Sequence, residues 1–304
     1  MSIELITSLI KANIVLAVLL TNTILLIWFE RKVVAGMQSR VGPDRAGPFG
    51  ILQTLADAIK LLLKEQILPS KADRAMYLLA PLIALVPSFL IFMIIPLGPD
   101  ITVEWQNTLY TIPLVGADLN VGVLYFLALS SIAVYSVVLA GWSSGSKYPL
   151  LGGVRASAQM ISYEAAMGLA LVPVILYSGS LSLVDIVNSQ SGNLSSSIPI
   201  LNTIVSFIPK WNIFPQFVAF GIFFIAAVAE VNRAPFDLVE AEQELVGGFH
   251  TEYSGFRFAM FFLAEYINMF NMCAITATFF LGGWLGPTFE GILPVSYTHL
   301  TLPT

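Results

Sequence analysis

An all-α, polytopic membrane fold follows from three features of the sequence. Of its 304 residues 57% are hydrophobic and only 11% charged, less than half the charged fraction of a soluble domain, so the chain cannot clothe a water-exposed surface. The charges are spaced so that long apolar stretches separate them, each near the ~20 residues that a helix needs to cross hydrocarbon. The basic residues gather in segments that a six-span threading puts on one side.

Taken in order, the apolar stretches predict about six spans, near 12–29, 75–97, 119–142, 157–178, 212–230 and 258–282. Eighteen uncharged residues separate Lys11 from Glu30, and 28 separate Asp118 from Lys147. The fourth span carries a single charge, Glu164, and the sixth a single one, Glu265. Pro81, Pro87, Pro173 and Gly168 fall inside spans, which membrane helices tolerate better than soluble ones. Residues 1–287 read as one membrane domain and 288–304 as an atypical tail. Twelve of the 14 Lys and Arg lie in segments 30–74, 143–156 and 230–257, which assigns these to the cytoplasmic or matrix face. With the first span starting almost at Met1 and no cleavable leader, a bacterium or the organelle that makes the chain is the expected source.

Several chemistries are excluded. The single Cys273 rules out a disulfide framework, a thiolate-held iron–sulfur cluster and a C-x-x-C pair. Two histidines make a bis-histidine haem improbable, no nucleotide-binding glycine motif occurs, and a net charge of −5 argues against nucleic acid. No metal site is expected, and any electrons must come from a partner.

Four segments stand out. Within 30–65, Ile51, Leu52, Leu55, Ile59, Leu62 and Leu63 recur at helical spacing opposite Gln53, Asp57, Lys60 and Lys64. This predicts an amphipathic helix of about 17 residues lying in the interface. It could serve only as a headgroup anchor, but Asp57 three residues before Lys60 suggests a working polar face. The second segment is Ser162-Tyr163-Glu164. A carboxylate at membrane depth costs roughly 2.5–3.5 kcal/mol, so it must be paired, protonated or beside a hydrated cavity, and Glu265 beside Tyr266 repeats the arrangement.

The third segment runs from Glu230 through Arg233, Pro235, Phe236, Asp237, Glu240, Glu242 and Glu244 to Gly247-Gly248 and Glu252. Pro235 can open a short helix that puts Asp237, Glu240 and Glu244 on one face. Such acids can simply aid solubility. Partly desolvated, they would share protons and titrate as a set. The fourth segment, Lys147–Arg155 with Gly152-Gly153, reads as a tight turn.

The strings Glu30-Arg31-Lys32, Gly42-Pro43, Gly50-Ile51-Leu52-Gln53, Ala56 to Leu61, Ser162-Tyr163-Glu164, Phe262 to Tyr266 and above all Glu230 to Ser254 resemble subunit 1 of proton-pumping NADH:ubiquinone oxidoreductase. This is the membrane subunit of respiratory complex I that joins its two arms. The resemblance implies a chamber for ubiquinone, which is a substrate, with no covalently bound cofactor. Flavin and iron–sulfur clusters would sit only in partners, namely peripheral-arm iron–sulfur subunits, with antiporter-like membrane subunits and lipid as further neighbours.

On that pattern Arg31, Lys32 and Arg40 lie near the quinone entrance and Asp57 and Lys60 along its tunnel, with Arg233 and Phe236 also in contact with quinone. Glu164, Glu230, Asp237, Glu240, Glu242, Glu244, Glu252 and Glu265 carry protons. The mitochondrial inner membrane is the expected location, with the bacterial plasma membrane second. Thr54 and Asp44 depart from the family pattern, which has Pro and Asn there. The tail lacks the two further helices and arginine-rich loop of the family, as a truncated or foreign end would. The other readings are a membrane subunit of an energy-converting hydrogenase, a proton or cation carrier without quinone chemistry, and a structural anchor.

Overall fold

In a computed structural model the described residues are 3–105, 108–194, 208–237 and 246–286. The helices are α1 (Ile3–Met37), α2 (Gln53–Leu63), α3 (Arg74–Ile94), α4 (Gly122–Ser143), α5 (Lys147–Ser178), α6 (Leu183–Ser189), α7 (Phe217–Glu230) and α8 (Gly255–Phe280). Five of them, α1, α3, α4, α5 and α8, are long and apolar enough to cross a membrane, and α7 is a shorter apolar helix. The architecture is the expected all-α polytopic one. A two-stranded antiparallel hairpin, β1 (Ile101–Trp105) and β2 (Thr108–Ile112), decorates the loop between α3 and α4.

α1 is 35 residues long, about 52 Å at ~1.5 Å per residue, well beyond the ~30 Å of hydrocarbon. Its last turns therefore project past the bundle, and α2 packs against them. There Trp28 Nε1 donates to the Phe49 carbonyl at 3.0 Å.

The amphipathic helix is shorter than the expected 17 residues, with 11 in α2. Gly47 and Gly50 take φ of 75° and 77°, which ends any helix extended backward. Gly50 cannot be otherwise: a Cβ there would lie 2.2 Å from the Pro43 carbonyl oxygen. The apolar face of α2, including Leu55, Ile59 and Leu62, stays exposed, as suits a helix lying in lipid.

Asp73 caps α3, its carboxylate accepting from the backbone N–H of Ala75 at 3.1 Å and Met76 at 3.4 Å. Pro81 interrupts the ladder of α3 and frees the carbonyl of Tyr77 four residues earlier. The Tyr253 hydroxyl donates to that carbonyl at 3.2 Å.

Gly152 and Gly153 are not a turn, contrary to expectation. α5 already begins at Lys147 and both lie inside it. They serve close approach instead, since a Cβ on Gly153 would meet the Val137 carbonyl of α4 at 2.9 Å, and one on Gly152 would meet the Gly248 backbone at 2.8 Å. Small residues at helix interfaces in lipid have this use.

α7 has 14 residues, about 21 Å, so on length its outer end falls inside the apolar layer. The irregular backbone there is satisfied by the buried Gln190 and Asn212. Gln190 Oε1 accepts from Asn212 N at 3.2 Å and Gly282 N at 3.0 Å, and Asn212 Nδ2 donates to the Phe279 carbonyl at 2.8 Å. Backbone away from water is tolerated when its groups are paired in this way.

One core, around Phe92, Phe126, Met167, Phe223, Ile267 and Phe279, fills the middle and outer bundle. A second, around Tyr77, Ala140, Ala156, Phe249, Tyr253 and Phe261, ties the segment before α8 to α3, α4 and α5. Between these helices and the loop after α7 lies the polar ground described next.

Candidate functional site

α1 presents two consecutive charges to different partners. Arg31 turns to α2, its Nη1 lying 2.5 Å from Asp57 Oδ2, and Gln53 Nε2 donates to the other Asp57 oxygen at 3.0 Å. Among the described residues the ion pair of Asp57 is this one and not the pairing with Lys60 that sequence spacing suggested. Partial burial works against the Asp57 charge, but the hydrogen bonds from Arg31 and Gln53 outweigh it and hold the carboxyl below its ordinary value. Lys32 reaches Asp44 only at 3.9 Å. Arg40 is exposed beyond the end of α1, its Nε donating to Gln38 Oε1 at 2.7 Å.

Glu30, one residue earlier, faces the bundle. Its Oε1 lies 2.9 Å from Nη1 of Arg233, whose Nη2 is 3.2 Å from Glu265 Oε1 on α8. The same guanidinium sits over the Tyr266 ring, 4.7 Å from its centroid. Burial opposes the charge of Arg233, but Tyr266, Glu265 and Glu30 prevail, so its basicity exceeds that of a free arginine. The loop after α7 thus places a fixed cation between α1 and α8.

The intramembrane acids are held by a pair of neighbours on α4. Ser130 donates to Oε1 of Glu230 at 3.2 Å, and the adjacent Ser131 donates to Oε1 of Glu164 on α5. Glu230 is 7% exposed, and its other oxygen is buried with no hydrogen-bond partner among the described residues. Phe236 docks the loop on α5, its carbonyl accepting from Gln159 Nε2 at 3.0 Å and its ring meeting Tyr163 edge-on at 5.7 Å.

A cavity of about 70 Å³ opens between α4, α7, α8 and the loop, and its polar wall is Ser136, Glu230, Asn232, His250, Glu265 and Asn268. Its volume is well above the ~10–15 Å³ that one water needs. His250 is partly buried and packed against Phe249, Phe258 and Phe262, and desolvation pulls its pKa down to about 4, so the ring is neutral at pH 7.

Of the acids named from sequence, Glu230 and Glu265 line the cavity, Arg233 reaches Glu265, and Glu164 is held by the serine next to the one that holds Glu230. Asp237 is exposed. Glu252 contributes its carbonyl, which accepts from the Tyr77 hydroxyl at 2.8 Å. Pro235 lies in a turn and residues 235–237 are not helical; the rest of the helix expected there, with Glu240, Glu242 and Glu244, lies outside the described residues. Sequence reasoning missed Glu30, Ser130, Ser131, Asn232, His250 and Asn268. For three of these a signal existed: Ser130-Ser131 is a polar pair in a strongly apolar span, and His250 is one of only two histidines.

A model of the NADH dehydrogenase family matches residues 10–302. The chain is 52% identical over 277 residues to an NADH-quinone oxidoreductase subunit of Syntrophobacter fumaroxidans, covering 91% of this chain and 77% of the relative. It is 51% identical over 293 residues to the corresponding NADH-quinone oxidoreductase subunit of Thermomicrobium roseum, covering 95% and 82%. With that of Frankia alni it shares 52% identity over 286 residues, 93% of this chain but 58% of that longer protein.

Proposed function

The chain belongs to the NADH dehydrogenase family, and on that premise we propose that it is the membrane subunit of a proton-pumping NADH:quinone oxidoreductase. In this reading it forms part of the quinone chamber and passes the effect of quinone reduction to buried acids. The reaction is NADH + H⁺ + quinone → NAD⁺ + quinol, with both electrons delivered by flavin- and iron–sulfur-bearing partner subunits. The described residues offer no cluster of His, Cys, Asp or Glu for a metal, and the role of this chain is to bind, orient and move protons. Half-identity to bacterial NADH-quinone oxidoreductase subunits supports this reading over a hydrogenase component or an independent carrier. It also favours a bacterial plasma membrane over the mitochondrial inner membrane.

The observation that carries the reading is that consecutive residues of α1 hold two ion pairs, one to the α2 platform and one to the loop beside the intramembrane acids. Arg31 answers to Asp57 and Glu30 to Arg233, which also holds Glu265 beside the cavity with Glu230. The exposed apolar face of α2 fits an isoprenoid tail and the charged rim fits a quinone headgroup. Negative charge building on the quinone as it is reduced draws Arg31 away from Asp57. That change reaches Arg233 through Glu30, and the acids it holds exchange protons with the cavity. Ubiquinone is the quinone we assign, with Arg31, Lys32, Asp57, Lys60 and Phe236 near its path.

The test is purification of the chain from its native membrane, followed by NADH-driven acidification of inverted vesicles. Co-purifying flavin and iron–sulfur subunits, with acidification that a quinone-site inhibitor abolishes, is the expected result. A chain that purifies without NADH-oxidising partners would sink the reading.

A further inference from the structure

Three titratable side chains from three different parts of the chain line one half-open cavity: Glu230 at the end of α7, Glu265 on α8 and His250 on the short turn before α8. Two of the three are the acids already assigned to proton transfer. The third stands between the loop that carries Arg233 and the start of α8, and it is not one of the charges that Arg233 pairs.

The surroundings of His250 are informative. Phe249, Phe258 and Phe262 pack edgewise on its ring with centroids 5.0, 5.3 and 6.1 Å away. Phenyl rings offer imidazole no strong hydrogen-bond partner, and the same ring lines the cavity. Across it, α7 contributes Glu230 and α8 contributes Glu265, whereas α3, α4 and α5 contribute Ala84, Ser136 and Met160, none of them charged. Glu230 Oε2 and Asn232 Oδ1 are both buried without a hydrogen-bond partner among the described residues. A neutral imidazole is the one side chain that holds a donor and an acceptor nitrogen on one ring and can exchange their roles.

We propose that His250 is a proton-transfer residue that links Glu230 and Glu265 across the cavity, directly or through water. A proton from one carboxylic acid goes to the unprotonated ring nitrogen as the N–H on the other nitrogen passes its proton to the opposite carboxylate. One proton enters the ring and one leaves, no electrons move, and the imidazole ends as the other tautomer. Return of the tautomer through cavity water resets it. Burial disfavours a resting imidazolium, so the ring carries charge only in passing, which keeps the link closed until a proton is offered. His250 was not among the acids read as the proton path, and the proposal rests on the proton-coupling reading above.

The test uses the assembled complex in inverted vesicles, with the amount of complex equalised on native gels. His250→Gln and His250→Asn keep hydrogen-bonding capacity but cannot take a proton. Either substitution is expected to lower protons pumped per NADH at least twofold and to raise the solvent deuterium isotope effect on quinone reduction. A purely structural role would be rescued by Gln or Asn, so an unchanged pumping ratio and isotope effect in either assembled variant overturns the proposal. Failure of both variants to assemble also overturns it, in favour of a packing role. Wild-type vesicles report separately on the parent reading: NADH oxidation by quinone without acidification defeats that reading whatever the variants do.

Discussion

Removing the charge of Arg233 is the sharpest perturbation the site allows. In Arg233→Met the side chain keeps an unbranched apolar stem but strands Glu30 and Glu265, which sit 2.9 and 3.2 Å from the guanidinium. At an effective dielectric constant of about 20 each pair is worth about 4 kcal/mol before solvation is charged against it. The side chains are 28% exposed for Arg233, 35% for Glu30 and 21% for Glu265. The net cost therefore lies between the ~0–1 kcal/mol of surface pairs and the ~3–5 kcal/mol of breaking a buried one, at about 2–3 kcal/mol. Loss of the contact with Tyr266 adds about 1 kcal/mol.

The assay is heat inactivation of the purified complex, together with its NADH:quinone reductase rate. Arg233→Met is expected to inactivate several degrees below wild type and to turn over at least tenfold more slowly. Arg233→Lys, which can face only one carboxylate at a time, should fall between. Adding Glu265→Gln to Arg233→Met should recover about 1–2 kcal/mol, because part of the cost is the stranded acid. A Met variant that is as heat-stable and as active as wild type would refute the bridge.

Asp57→Asn should cost less than about 1 kcal/mol of stability, since its pair with Arg31 is 34–46% exposed, while quinone reduction falls several-fold; equal losses in both would make the pair merely structural. Gly50→Ala forces a Cβ to 2.2 Å from the Pro43 oxygen at φ 77°, and should cost at least about 2 kcal/mol, seen as a loss of assembled complex. His250 has a folded pKa of about 4 against an ordinary 6.5, so the unfolded chain takes the proton first. Its contribution is full above pH 6.5 and is lost as pH falls toward 4, up to about 3 kcal/mol; heat inactivation measured between pH 7 and 5 should lose that part of its slope in His250→Asn. Tyr253→Phe leaves the Tyr77 carbonyl unsatisfied and should cost about 1–2 kcal/mol, a cost that Pro81→Ala, which restores the helical N–H, should partly remove.

Much of the architecture was legible because its cause is local. Hydrocarbon demands ~20 apolar residues whatever the partners, and α3, α4 and α8 announce themselves that way. The intramembrane Glu164 and Glu265 were legible for the converse reason, a charge where charge is costly. Pairing was not. Asp57 lies one helical turn from Lys60, but the helix lies against α1, and Arg31 approaches from there; no spacing along α2 encodes that. Gly152-Gly153 was misread because glycine permits both a tight turn and a close helix contact, and only the positions of Val137 and Gly248 decide between them. His250 went unnoticed because its importance comes from what surrounds it, three phenyl rings and a cavity assembled from distant segments.

The segment that carries Arg233 and His250 has little regular structure among its described residues, and still must hold both groups in register with α1 and α8. It does so at three points. Phe236 is fixed to α5 through Gln159, Gly248 lies against Gly152 too closely for any side chain, and Tyr253 stacks on Tyr77 with ring centroids 4.0 Å apart. The last contact is reciprocal: Tyr77 donates to the Glu252 carbonyl and Tyr253 donates to the Tyr77 carbonyl that Pro81 sets free. A proline that would weaken an ordinary helix supplies here the acceptor that anchors the loop. The same economy appears on α1, where Glu30 and Arg31 serve different partners, so that one turn of one helix holds both α2 and the loop that carries Arg233. A rigid bundle with its polar groups anchored at a few such points can move protons through small shifts of paired charges, without the backbone having to move.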